Sequence, residues 1–159
     1  MDEKNFLNLI SLHQGIIYKV CKLYRDVEED REDLFQEIVF QLWRSIDSFR
    51  GASKTSTFIY RVALNTAIAS FRREKKRIVD FTHQLPEQEM EVENDEQAYK
   101  REQLMYAIKQ LGEADRAIMI LLLEDMSYRE IAEVIGTNEN NIAVKINRIK
   151  QKIKNLLIK

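Results

Sequence analysis

The stretch from Ser127 to Ile153 constrains the fold more than any other part of the chain, because it predicts two helices joined by a tight turn. Ser127, followed three residues later by Glu130, is a capping-box signature for the start of a helix. Gly136 then stands where a left-handed residue ends that helix. After the turn, apolar residues recur at spacings of four, three and four, which predicts a second helix with one buried stripe: Ile142, Ile146, Ile149 and Ile153.

The outward face of that second helix indicates a function. If its isoleucines point inward, the residues near its N-terminal half that point outward are Asn140, Ala143, Val144, Asn147 and Arg148. Beyond Glu139 the charged residues are all basic, beginning with Lys145. A helix-turn-helix whose second helix has a basic exposed surface is typical of DNA-binding proteins. The alternative interpretation is a solvated basic helix that closes a bundle.

Composition favours an all-α fold, since glycine and proline number only four and one in 159 residues. Cys21 is the only cysteine, so no disulfide can form within the chain and a reducing cytoplasm is expected. No apolar run approaches the length of a membrane span, so we expect no membrane insertion of its own. Neither Cys21 nor His13 has partners at ligand spacing, and core or boundary packing is predicted for both.

The negative charge of the chain is concentrated in one segment. The net charge of −1 hides a run, PEQEMEVENDE, that carries six acidic residues. Like charges at this density repel each other and leave little apolar surface to bury, which predicts a flexible linker. We therefore predict two small helical domains, residues 1–77 and 97–159, joined by an acidic linker over residues 78–96. The second domain is predicted to contain four helices.

The first domain is predicted to contain three helices. The first runs from Glu3 to Tyr24, and Asp30 is a plausible N-cap for the second. The exposed face of that second helix is rich in acidic and amide side chains, which suits either a partner helix or ordinary solvated surface. These residues are Asp33, Gln36, Glu37 and Gln41.

The third helix of this domain follows a loop, Ser48–Thr57, that contains Lys54. Phe58, Val62, Thr66 and Ala69 are predicted to form its core face. Asn65 lies in its middle, either as a satisfied buried amide or as a group suited to reading a base edge. Aromatic and amide side chains beside a basic C-terminal cluster match the needs of single-stranded nucleic acid.

Two separated stretches resemble one family. DLFQEIVFQLW, SFRG and FIYRVALNTAIASFRR resemble the core-binding and promoter-melting domain of a bacterial sigma factor. LGEADRAIMILLLEDMSYREIAEVIGTNENNIAVKINRIKQKI resembles its helix-turn-helix domain. With only an acidic linker between them, the chain resembles the extracytoplasmic-function (ECF) group.

The resemblance implies a role for each matching position. Asp33, Gln36, Glu37 and Gln41 match the surface that grips the clamp helices of the largest subunit of core RNA polymerase. Phe49, with the loop through Lys54, matches the pocket for a base flipped from the −10 element, and Phe58 and Asn65 lie beside the melted strand. Arg61, Arg72 and Arg73 match contacts to strand phosphates. The face that reads the −35 duplex is matched by Asn140, Ala143, Val144, Lys145, Asn147 and Arg148.

Four positions depart from the usual pattern of the family. Phe58 replaces a Trp, Gly112 replaces a Pro, and apolar Ala143 and Val144 stand where Arg and Ser are frequent. The sequence recognised by this face is therefore left open, and contact of the apolar side chains with thymine methyl groups is one interpretation.

The resulting expectation is a non-catalytic, cytoplasmic sigma factor that directs core RNA polymerase to promoters without cofactor, metal or catalytic residues. An anti-sigma factor is a further expected partner. Two alternatives remain: a free-standing helix-turn-helix regulator, and a helical interaction module that does not bind DNA.

Overall fold

The computed structural model describes residues 1–51, 53–78 and 96–157, and all regular elements in these ranges are helical. The all-α prediction is therefore confirmed. A short 3₁₀ helix, Ile46–Ser48, follows the second α-helix. The α-helices in the described ranges are α1 (Glu3–Tyr24), α2 (Glu28–Ser45), α3 (Thr55–Ile78), α4 (Glu96–Lys109), α5 (Glu113–Leu123), α6 (Tyr128–Ile135) and α7 (Glu139–Leu157).

The helices α1, α2 and α3 pack on one another as a three-helix bundle. Each faces the other two with apolar residues three or four positions apart, because that spacing keeps side chains on one face of a helix. Residues at the centre of the bundle are fully buried, among them Ile17, Val20, Ile38, Leu42 and Ile59.

The helices α4 to α7 form the predicted second four-helix unit. The most apolar of them, α5, lies against both α6 and α7, and α4 packs along α7. The buried stripe of α7 is the predicted one, since Ile142 and Ile146 are fully buried and Ile149 and Ile153 are nearly so.

The two units pack on each other through α3, which contacts α5 and α6 as well as α1 and α2. Buried side chains from both units belong to one apolar cluster. Both faces of α3 are therefore covered, one by its own bundle and one by the second unit.

Packing on both faces explains why the predicted core face of α3 was partly wrong. Phe58 and Thr66 are buried, but Val62 is only half-buried and Ala69 is exposed. The most deeply buried positions of α3 are instead Ile59, Tyr60, Ala63, Leu64 and Ala67. The prediction assumed a single neighbouring surface, whereas α3 has helices on two sides.

The predicted N-cap of α2 was also wrong. The helix begins at Glu28, two residues before Asp30, and its N-cap is Val27, which makes no side-chain cap hydrogen bond. Three carboxylates in the first turn, Glu28, Glu29 and Asp30, favour this start, because negative charge stabilises the N-terminal end of a helix dipole.

The flexible linker was predicted for residues 78–96, and residues 79–95 lie outside the described residues. Of the predicted range, the structure describes only Ile78, as the last residue of α3, and Glu96, as the first residue of α4.

Candidate nucleic-acid interface

Local hydrogen bonds define both ends of α6 and the start of α7. The Ser127 hydroxyl accepts from the Glu130 backbone N–H at 3.1 Å, and the Glu130 carboxylate accepts from the Ser127 N–H at 3.4 Å. Gly136 has a φ of 87°, the left-handed conformation that ends α6, and its N–H donates to the Ala132 carbonyl at 2.8 Å. The Asn138 side chain caps α7 by accepting from the Asn141 N–H at 2.9 Å. α6 therefore ends at Gly136, and α7 begins two residues after Thr137, behind the Asn138 cap.

The outer face of α7 presents polar and apolar groups together. Asn140, Val144, Asn147 and Arg148 are exposed, and 50 % of Val144 is accessible to solvent. An exposed amide, a branched apolar side chain and a guanidinium on one face suit the mixed chemistry of base edges in a major groove. Of the six predicted duplex-contacting residues, only Ala143 and Lys145 are half-buried.

The C-terminal half of α7 carries further positive charge. Lys150, Lys152 and Lys154 are exposed, and Lys152 lies 3.5 Å from the Asp115 carboxylate of its own unit. Lys150 and Lys154 also line an apolar groove with Leu104 and Met119. This basic surface adds sequence-independent attraction for phosphate to the face described above.

The predicted melted-strand residues lie on α3 and the segment before it. Phe49 packs on Phe58 with ring centroids 4.7 Å apart, and only 8 % of Phe58 is exposed. Phe49 is therefore the more exposed ring of the pair, and the buried Phe58 ring packs against its inner side. Asn65 is exposed on α3, so the buried-amide alternative for this residue was wrong.

Two of the predicted phosphate-contacting arginines face the second unit. Arg61 donates through Nη2 to the Glu133 carbonyl at 2.7 Å, and Arg72 donates through Nε to the Glu113 carboxylate at 2.8 Å. The hydrogen bond from Arg72 is the main reason that the pKa of Glu113 is below its usual value. Lys54 lies at the same junction, 3.9 Å from the Glu130 carboxylate.

The predicted polymerase-contacting residues form one face of α2. Asp33 and Gln36 are exposed, whereas Glu37 and Gln41 are half-buried. Beside them a groove of about 530 Å³ runs between α1 and α2. Its apolar lining includes Leu7, Phe40 and Trp43, all at least 44 % exposed. The sequence did not lead us to predict Leu7 or Trp43 in this groove. Trp43 was predictable, because it lies three positions after Phe40 on the same helix, and side chains at that spacing are neighbours on the helix surface.

Sequence reasoning also missed the residues that join the two units. Arg116 of α5 donates to the Leu23 carbonyl at 3.0 Å and lies 4.9 Å from the ring centroid of Phe71. The Tyr24 hydroxyl donates to the Glu113 carbonyl at 2.6 Å, and burial raises the pKa of Tyr24. Nothing in the sequence signals these pairs, because the members of each lie far apart along the chain, on either side of the acidic run.

No cluster of metal-ligating side chains occurs in the described ranges. Cys21 is buried within the first bundle, as predicted, and burial raises its pKa to about 11. Across residues 1–51, 53–78 and 96–157, no helix has the length and apolarity to cross a bilayer.

Comparison with known proteins identifies both units. Residues 9–77 match the family model for sigma-70 region 2, and residues 101–153 match that for sigma-70 region 4. The chain is 30% identical over 167 residues to the ECF RNA polymerase sigma-E factor of Escherichia coli K12, covering 97% of this chain and 87% of the relative. It is 27% identical over 143 residues to RNA polymerase sigma factor SigV of Bacillus subtilis, covering 87% and 82%.

The fold is similar to that of two solved structures. One is the sigma factor RpoE from Bartonella quintana, solved in complex with the anti-sigma factor NepR, with a TM-score of 0.72 at 18% identity over 97% of both chains. Another is CnrH, solved with the cytosolic domain of CnrY, with a TM-score of 0.69 at 18% identity over 98% of this chain and 89% of the other. The chain therefore belongs to the ECF group of sigma-70 RNA polymerase factors, and it is a promoter-specific sigma factor rather than a free-standing helix-turn-helix regulator.

Proposed function

We propose that α7 reads the −35 duplex, that α3 and the segment before it trap the melted −10 strand, and that α2 grips core RNA polymerase. The chain then acts in the cytoplasm as a non-catalytic subunit without a cofactor, because the polymerase supplies the chemistry. The observation that carries this proposal is the exposed face of α7. It combines Asn140, Val144, Asn147 and Arg148 on a helix whose first turn is capped by the Asn138 side chain.

For the duplex, each exposed group on α7 has a matching base edge. The Arg148 guanidinium suits the two acceptors of guanine, and the amides of Asn140 and Asn147 suit adenine. Exposed Val144 suits a thymine methyl group. Ala143, being small, lets the helix backbone approach the groove, and Lys145 attracts the phosphates that flank it.

For the melted strand, the exposed Asn65 amide and the Phe49 ring supply a base edge contact and a stacking surface. Phe58 holds Phe49 in place, and Lys54, Arg61, Arg72 and Arg73 contact the phosphates. Trapping an unstacked base offsets part of the cost of opening the duplex, which is a few kcal/mol per base. No nucleotide hydrolysis is needed for this step.

For the polymerase, one face of α2 presents carboxylates and amides beside the exposed rings of Phe40 and Trp43. The polar residues of this face are Asp33, Gln36, Glu37 and Gln41. A polar rim around aromatic anchors is typical of protein interfaces, and we assign this face to the clamp helices of the largest subunit. We also propose an anti-sigma factor as a partner, since a sigma factor of the same fold was solved in complex with the anti-sigma factor NepR.

Initiation by a reconstituted holoenzyme tests the proposal. Core polymerase is combined with the chain, transcribes a library of randomised upstream sequences, and the start sites are mapped with and without the chain. We expect defined start sites only when the chain is present. Val144→Ala should change the selected −35 sequence, whereas the control Lys154→Ala, in the groove-lining part of α7, should leave it unchanged. Identical start sites with and without the chain would overturn the proposal.

A further inference from the structure

The C-terminal end of α3 has two faces of different charge. Ser70 and Glu74 lie four positions apart, so their side chains are neighbours on one face of the helix. This inner face is turned toward the first bundle, because both side chains contact Arg25 at the C-terminal end of α1. Glu74 is the only acidic residue between positions 72 and 76. The opposite, outer face carries four exposed cations: Arg72, Arg73, Lys75 and Lys76.

The apolar core of the first bundle does not extend along this end of α3. Through Lys76, the last residue of α3 whose side chain is described, the last fully buried apolar residue is Ala67. The helix continues to Ile78, which is about three turns further on. Beyond Ala67, the contacts of Ser70 and Glu74 with Arg25 therefore help to hold α3 against the first bundle.

Arg25 is a buried cation with defined partners, and only 9 % of it is exposed. Its Nη2 donates to the Ser70 hydroxyl at 2.5 Å. Its Nη1 lies 3.0 Å from the Glu74 carboxylate and donates to the Tyr24 carbonyl at 3.1 Å. The Arg25 carbonyl accepts from Nε of Arg31 at 2.9 Å. An arginine is rarely buried unless its charge is paired, and Glu74 supplies that charge here.

The Glu74 carboxylate is less enclosed than its partner. Its side chain is 42 % exposed, whereas that of Arg25 is 9 % exposed. Without Arg25, the carboxylate is therefore free to turn toward solvent and toward the cations of the outer face. A carboxylate there would lower the positive potential along that face and would compete with phosphate for its guanidinium groups.

We propose that Arg25 is a positioning residue for strand binding, which holds the Glu74 carboxylate on the inner face of α3 and leaves the outer face uniformly positive. This inference rests on the proposed role of α3 in strand binding. It extends that role to a buried residue between α1 and α2, which acts on the strand only through Glu74.

A double-mutant cycle between Arg25 and Glu74 tests the inference. The variants are Arg25→Met, Glu74→Gln and the two combined, and the combined variant has the net charge of wild type. Each is assembled with core polymerase, and fluorescence anisotropy measures the affinity for a labelled oligonucleotide. This probe carries the non-template −10 strand of a start site mapped with the randomised library. The control Arg31→Met removes one cation from the same corner of the bundle, where Arg31 donates to the Arg25 carbonyl.

The cycle has a defined expected result. Arg25→Met should bind the oligonucleotide about three- to tenfold more weakly than wild type, because Glu74 can then turn outward. Glu74→Gln alone should change the affinity by less than about twofold, and the combined variant should bind within about twofold of wild type. Glu74→Gln therefore recovers affinity only when Arg25 is absent. Arg31→Met should lose less than about twofold, because its charge is not paired with Glu74.

Three results would overturn the inference. Equal effects of Glu74→Gln with and without Arg25, or an equal loss in Arg31→Met, would mean that net charge alone is responsible. A combined variant as weak as Arg25→Met would mean that Arg25 has only a structural role. If chemical denaturation shows that Arg25→Met is unfolded, Glu74→Gln alone decides. A gain of about threefold or more in that variant contradicts the inference, and a smaller change supports it.

The proposed role of α3 is judged separately. Promoter opening by the holoenzyme with Asn65→Ala tests that role and leaves Arg25 and Glu74 in place. A failure there is therefore distinguishable from a failure of the cycle between Arg25 and Glu74.

Discussion

The Arg73 guanidinium donates a 2.6 Å hydrogen bond to the Glu37 carboxylate, which joins the basic end of α3 to the α2 face proposed for polymerase. Both side chains are partly exposed, at 65 % and 34 %, so the pair itself contributes little to stability. The pair therefore places a residue proposed for the strand phosphates in direct contact with a residue proposed for polymerase.

Replacing Glu37 is expected to weaken polymerase binding while leaving the free energy of unfolding nearly unchanged. Glu37→Gln should change the free energy of unfolding by less than about 1 kcal/mol, because an exposed pair is well screened. Affinity for core polymerase should fall by about 1–2 kcal/mol, because an interface carboxylate is lost. Denaturant titration and a competition assay with labelled chain measure the two quantities. Glu32→Gln, an exposed neighbour on α2, serves as the control and should leave both unchanged.

Replacing Asn65 is expected to impair promoter opening. Its amide is exposed on α3, so Asn65→Ala should leave folding and polymerase affinity near wild-type values. Loss of a contact to an unstacked base should cost about 1–3 kcal/mol in the open complex. Permanganate reactivity of thymines in the −10 region measures opening. An equal loss of polymerase binding and of opening would contradict the assignment.

Replacing Arg148 is expected to weaken duplex recognition at one base position. Arg148→Ala should cost about 1–3 kcal/mol on the preferred −35 sequence and relax the choice of base there. Lys154→Ala should weaken binding to all sequences alike, because it removes only phosphate attraction. Anisotropy titrations with single-base duplex variants separate the two effects. Unaltered base preference in the Arg148 variant would refute the direct contact.

Two glycines are expected to respond in opposite directions to alanine. Gly136 has a left-handed backbone, so Gly136→Ala should lower the free energy of unfolding by about 1–2 kcal/mol.

Gly15 is exposed within α1, and no atom of a neighbouring helix lies within 4 Å of where an alanine Cβ would stand. Gly15→Ala should therefore raise the free energy of unfolding by about 0.5–1 kcal/mol. Chemical denaturation measures both, and a stabilised Gly136 variant would mean that the turn can adopt another conformation.

Cys21 is expected to make stability fall at alkaline pH. Burial holds its pKa at about 11 in the folded chain, against 9.0 for a free thiol, so the folded state keeps the thiol neutral. Below pH 9 both states are protonated and this contribution is fully present. Above pH 9 the unfolded state ionises first, so stability is lost as pH rises toward 11. Unfolding of Cys21→Ala between pH 8 and 11 should show a shallower decline than wild type; parallel declines would contradict the burial argument.

The helices and their ends were predictable where the signals are local. The capping box of Ser127 and Glu130, the left-handed Gly136 and the isoleucine stripe of α7 all involve residues a few positions apart. Such interactions form within one segment and do not depend on distant residues, so they can be predicted from the sequence. The start of α2 was predicted wrongly because it depends on the helix dipole and the backbone, whereas the prediction was based on a capping side chain.

The sequence by itself determined an all-α chain, a capped helix-turn-helix and the residue types available on each exposed face. Only the tertiary structure decided that Arg72 meets Glu113, that Arg116 meets Leu23 and that α3 is covered on both faces. These pairs join positions 41 and 93 residues apart. Such partners are selected by how two packed units fit together, because spacing along the chain carries no information about which side chains meet across an interface.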